Sequence, residues 1–154
     1  MVRRIVTANN EQGRSYIAID ETTDERTVWR TSGGNPLEPD SDDRPSIVLP
    51  STAPAIEPPA GGGKCSFVAI QPWKLRQAEI ARGDYPGLDP QGFHRTATLD
   101  YIMLTEGEVT LMLDIGETVV RAGDLVVQRN TNHSWRVHGD TPAKLWGIMI
   151  SLAE

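Results

Sequence analysis

The chain has 154 residues, a net charge of −6 and a sequence pI near 5.1, the size of one domain with enough chain to bury a core. Its acidic balance, with no run of lysine and arginine, repels phosphate backbones and anionic lipid and argues against nucleic acid as a partner. No stretch approaches the roughly 20 apolar residues of a membrane span and no apolar signal region opens the chain, so the cytoplasm is the expected location and no membrane partner is expected.

In chain order, Ile5-Val6 and residues 16–19, separated by a polar turn at 9–13, read as two short strands that either extend a sheet or cover its edge. Residues 33–63 hold most of the prolines, the acidic run Asp40-Ser41-Asp42-Asp43 and the triplet Gly61-Gly62-Gly63, which deny a helix or a central strand. With apolar Ile47-Val48-Leu49 inside it, this segment is expected to be an arm docked on the barrel or on a partner subunit. Residues 1–64 thus form an N-terminal strand-and-arm extension, and 65–154 the barrel. The apolar strands outside the barrel are the ground for expecting a homodimer. Cys65, the sole cysteine, allows no intrachain disulfide and is expected to pack as a small hydrophobe at the start of strand 65–70. Residues 74–84 suit one or two helical turns before Tyr85-Pro86-Gly87.

From Gly92 onward the period is two. His94, Thr96, Asp100, Ile102 and Leu104 fall on one face of an extended chain. Val109, Leu111 and Leu113 alternate with polar neighbours after Gly107. Short strands follow at 119–120 and 125–128 around the Gly123-Asp124 turn. His133, Trp135 and Val137 share a face of the next strand, and 144–152 is a last, apolar strand. Turn signals every eight to twelve residues predict an all-β sandwich or barrel. A carboxylate on an inward face is costly without a partner, so Asp100 is expected to meet a histidine, a metal or water.

At these residues the chain resembles the cupin superfamily. The first cupin motif carries glycine, histidine-x-histidine, glutamate and a later glycine; here His94, Thr96, Asp100 and Gly107 stand at those places, with threonine for the second histidine and aspartate for glutamate. The second motif runs from glycine through proline-x-glycine to histidine; Gly123-Asp124 through Asn130 to His133 resembles it, with Asn130 where glycine is usual. Residues 3–7, 28–31 and 94–101 are also similar to a group of single-domain cupins of unassigned activity. The resemblance implies a jelly-roll (double-stranded β-helix) barrel and places His94, Asp100 and His133 at ligand positions for a divalent Fe, Mn, Ni or Zn.

Three classes follow. In one, His94, Asp100 and His133 bind a metal with positions left open for substrate, supporting dioxygenase, lyase or isomerase chemistry on a small polar or aromatic metabolite. In another, no metal binds and Asp100 orients one histidine as general acid and base. In the third, the barrel binds a small molecule without catalysis. Thr96, Trp135 and Arg129 are the expected substrate contacts, Arg129 from a loop at the barrel mouth; His138 is read as a solvated turn residue.

Overall fold

The computed structural model describes residues 1–31 and 46–152. Nine strands and one helix follow in order: β1 (Val2–Asn9), β2 (Ser15–Thr23), β3 (Gly63–Ile70), α1 (Trp73–Ala81), β4 (Thr98–Glu106), β5 (Glu108–Leu113), β6 (Glu117–Arg121), β7 (Leu125–Arg129), β8 (His133–Arg136) and β9 (Ala143–Ser151). They form a six-stranded sheet, β2-β1-β7-β4-β9-β3, facing a three-stranded sheet, β6-β5-β8. This is the mostly-β barrel that the alternation predicts.

The period of two explains the core. Ile102 and Leu104 of β4, Val109, Leu111 and Leu113 of β5, Val126 of β7 and Leu145 of β9 turn inward and pack in one cluster with Trp135 and Val137, burying apolar area worth roughly 25 cal/mol per Å². The β4–β5 hairpin turns at Gly107, where φ is +80° and a Cβ would come within 3.2 Å of the Ala143 backbone, so a side chain there would be strained and crowded.

The N-terminal hairpin belongs to the barrel wall. β1 pairs antiparallel with β2 and parallel with β7 through Arg4, Ile5 and Val6, so of the two roles read from sequence the strands extend the sheet. Ile5 and Val6 are fully buried and Ile19 is 6% exposed. Val6 and Ile19 pack with Leu99, Leu125 and Val127 on the outer side of the sheet, covered by Val28, Trp29 and Tyr101. Of the apolar segments behind the dimer expectation, Ile5, Val6 and Ile19 are thus packed within the chain. Large apolar side chains remain exposed elsewhere, among them Phe67 and Trp146, whose ring centroids lie 5.1 Å apart. Cys65 is exposed rather than packed, because its position on β3 faces out beside Ile148 of β9.

Residues 32–45 of the arm lie outside the described residues. From residue 46 the arm is docked, but by polar contacts rather than by its apolar triplet: Ile47 and Val48 are exposed, while the Asn9 amide N–H donates to Ser46 Oγ at 3.0 Å and Leu49 N–H donates to Asn130 Oδ1 at 2.7 Å. No helix of the described residues is long and apolar enough to cross a membrane.

Candidate functional site

Between the two sheets lies a cavity of about 300 Å³, the lower end of the range for small-molecule sites. Its apolar wall includes Val68, Ile70, Ile102, Leu145 and Met149, and one end carries His94, Thr96, Asp100, Gln128 and His133. His94 and His133 are brought together by a two-residue antiparallel bridge in which each backbone N–H donates to the other's carbonyl at 3.0 Å. Their rings stand 4.3 Å apart between centroids. The approach to His94 is set by Gly92, with φ +78°, where a Cβ would lie 3.0 Å from Ser134 Oγ and 3.2 Å from the Trp73 ring.

Asp100 and Gln128 are direct cross-strand partners on β4 and β7. The Gln128 amide nitrogen donates to Asp100 Oδ2 at 3.0 Å and lies 3.2 Å from His133 Nε2. His133 Nδ1 is 2.9 Å from the Thr131 carbonyl, which only accepts, so Nδ1 carries the proton and Nε2 accepts the second N–H of Gln128. The carboxylate therefore meets neither histidine: Gln128 stands between Asp100 and His133 and uses one N–H on each. His94 Nδ1 faces the Gly92 carbonyl at 3.4 Å, which leaves its Nε2 as an acceptor without a partner among the described residues.

Burial sets the protonation states. It pushes His94 down to about 4, opposed by the Gly92 carbonyl and aided by the Arg76 cation. Burial also holds His133 well below its usual 6.5, with His94 and Arg76 adding to the effect. Both imidazoles are neutral at pH 7. Burial raises Asp100 to about 6, against the pull of Thr98 and Gln128, so its carboxyl changes charge just below neutrality. Asp100 Oδ1 and Gln128 Oε1 are buried without a hydrogen-bond partner. Each such acceptor costs about 1–3 kcal/mol unless a ligand or water donates to it.

The donor set does not suit a divalent metal. Among the described residues no three His, Cys, Asp or Glu side chains are grouped to hold one. The reason is local: an amide NH₂, which repels a cation, occupies the space between the carboxylate and His133 Nε2 and engages both. The three ligands that the cupin motifs imply are thus near one another but do not converge on a common point.

Of the expected substrate contacts, Thr96 and Trp135 line the cavity. The Thr96 hydroxyl is tied to that of Thr98 at 2.7 Å, and the Trp135 ring packs edge-on to His133 with centroids 6.1 Å apart. Arg129 is a correction. It is completely buried, ends strand β7 rather than sitting in a mouth loop, and points to the outer side of the sheet. There its Nε donates to the Thr7 carbonyl at 2.8 Å and its guanidinium lies over Trp29, 5.2 Å from the ring centroid. Neighbouring residues of a strand face opposite ways, so Gln128, not Arg129, reaches the cavity. His138 is exposed as expected. Tyr85 and Arg76, which also line the cavity, carry no motif and were not legible in the sequence.

No protein-family model matches the chain. It is 45% identical over 58 residues, 37% of this chain and 29% of the relative, to phomopsin biosynthesis cluster protein C' of Diaporthe leptostromiformis. It is 43% identical over 69 residues, 42% of this chain and 34% of the relative, to a cupin-domain-containing oxidoreductase of Aspergillus ruber. The chain thus spans about a third of the length of the curated relatives it matches. A Cupin 2 conserved barrel domain protein from Salinispora arenicola aligns at a TM-score of 0.42 and 12% identity, covering 62% of this chain and 69% of that one.

Proposed function

The chain is a cupin-domain protein, and on that premise we propose that its barrel binds a small hydroxylated molecule and moves a proton on it without a metal. The observation that carries this reading is a set of acceptors lining one cavity: Asp100 Oδ1 and Gln128 Oε1 are buried without a partner, and His94, with Nδ1 toward the Gly92 carbonyl, leaves Nε2 to accept. A ligand that presents O–H or N–H groups there satisfies them, while its body fills the apolar wall. His94, neutral and with only its acceptor nitrogen free, takes a proton; Asp100, held near 6, takes or returns one close to neutral pH, where acid–base catalysis is most efficient. Removing a proton from one atom of the substrate and returning it to another is an isomerisation that consumes no co-reactant. Gln128 and Thr131 are positioning residues, since they fix the tautomer and ring plane of His133.

The names of the relatives favour a second reading, in which the same base removes a hydroxyl proton during oxidation of the substrate. A third is binding without turnover. Deuterium wash-in separates them. Incubated in D₂O with a panel of small enolisable hydroxy-ketones, the protein is expected to exchange carbon-bound hydrogen, and His94→Gln to lose that exchange. Oxidised product appearing only with oxygen or a nicotinamide supports the second reading. Ligand-induced shifts of the His94 ring signals with no exchange and no product leave a binding protein and overturn the catalytic proposal.

A further inference from the structure

The cavity wall also carries, on α1, a cation that forms no ion pair among the described residues. Arg76, on α1, lines the cavity and is half-buried. Its guanidinium lies 4.9 Å from the centroid of the Tyr85 ring. That stacking satisfies the flat face of the group and none of its N–H edges. Among the described residues it makes no ion pair and no side-chain hydrogen bond. The acid on its helix, Glu79, accepts the Tyr85 hydroxyl at 2.9 Å and acts on the guanidinium through its charge alone, without a hydrogen-bonded ion pair. The other cation of the wall, Lys64, donates its Nζ to the Ile56 carbonyl at 2.5 Å and is therefore engaged. A guanidinium held beside apolar surface, facing a cavity and with no hydrogen-bonded anion among the described residues, is what a bound carboxylate or similar oxyanion completes, through a two-pronged hydrogen-bonded pair.

We propose that the ligand of this barrel is an anion, a small hydroxylated carboxylate, and that Arg76 is the specificity residue that holds its acid group. The proposal rests on the reading of the cavity given above. It adds polarity to it: hydroxyl toward His94, Asp100 and Gln128, apolar body along Val68, Ile102 and Leu145, oxyanion toward α1. Asp100, the one carboxylate among the described lining residues, lies with the acceptor group and forms no ion pair with Arg76. The positive charge of Arg76 also helps keep His94 and His133 neutral. A bound carboxylate would offset that charge and raise the basicity of His94 when substrate is in place.

The test titrates 4-hydroxyphenylacetate and its neutral amide into the protein while the ring signals of His94 and His133 are followed by NMR. The acid is expected to bind about tenfold or more tightly than the amide, the scale of one charge-assisted hydrogen-bonded contact. That preference is expected to vanish in Arg76→Met and to survive in Lys64→Met; Arg76→Gln takes the place of Arg76→Met if the latter does not fold. Equal or tighter binding of the amide by the unaltered protein overturns the anionic class while leaving the cavity reading in place. A preference that survives removal of Arg76 overturns the assignment of that residue. Failure of both compounds to move either ring signal at millimolar concentration overturns the cavity reading and this proposal together.

Discussion

Two neighbours on one strand, Gln128 and Arg129, show how differently the two faces of this sheet use polar groups. Both are buried, at 2% and 0% exposure. Gln128 faces the cavity, where its amide is shared by Asp100 and His133 and its carbonyl is left without a donor. Arg129 faces the N-terminal hairpin, where it donates to Thr7 and stacks on Trp29. Residues 28 and 29 close the outer face with apolar and aromatic cover; the inner face keeps a void with polar groups at one end. A buried polar side chain engaged by the fold serves stability, and one left partly open serves a ligand.

The largest expected effect is on the outer face. Arg129→Leu removes the stacked guanidinium and strands the Thr7 carbonyl, and is expected to cost on the order of 3 kcal/mol in urea unfolding while ligand affinity of the folded fraction stays unchanged. Lost affinity with stability intact would reverse the roles of the two faces.

The inner face is sharpened by pH. Asp100 is raised from 3.8 to about 6, so the stability its protonated form contributes is present below pH 4 and lost as pH rises through 6. His94 is lowered from 6.5 to about 4, and its contribution is present above 6.5 and lost as pH falls through 4; His133 follows the same direction. Between pH 6 and 4 the aspartate and the histidines oppose each other. Asp100→Asn removes only the first, so its stability should fall more steeply on acidification than that of the unaltered chain, by about 1.4 kcal/mol per pH unit. Parallel denaturation profiles would show that Asp100 does not titrate in that window.

Smaller effects follow next to the pair. Gln128→Leu should cost about 1–2 kcal/mol, because the partners of its amide are left buried and unpaired, and should weaken ligand binding, the reverse of Arg129→Leu. Asn130 adopts φ +53°, a left-handed conformation that disfavours most side chains. Its amide nitrogen donates to Leu49 O at 3.1 Å and to Thr96 O at 2.6 Å. Both Asn130→Gly and Asn130→Ala lose these bonds, but only alanine adds strain, so glycine should be the milder change by about 1 kcal/mol. Equal losses would mean that the backbone strain has relaxed.

Alternation made much of this legible. The shared parity of His94, Thr96 and Asp100, and the glycine turns, predict the barrel and the inward face of β4 from local sequence alone. The motif resemblance added His133 and set Asn130 at a glycine place, where the structure shows a left-handed residue. What stayed hidden depends on which strands meet. β7 is buried along its whole length, so it shows no alternation from which the inward face can be read, and the sequence alone points to Arg129 rather than Gln128. The parallel pairing of β1 with β7 leaves no local signature. Arg76 reaches the cavity only because α1 packs across its wall, a tertiary fact that helical periodicity does not encode.

The central claim is that the histidine pair is neutral, with a tautomer fixed by Thr131 and Gln128, in a site that does not take up metal. Long-range ¹H–¹⁵N NMR of the imidazole nitrogens, on protein prepared without chelator or affinity metal, measures this directly. The account predicts His133 protonated at Nδ1 with an accepting Nε2, and no charging of either ring as pH falls from 7 to 5. An Nε2–H tautomer of His133, titration near 6.5, or metal-shifted ring nitrogens would contradict it.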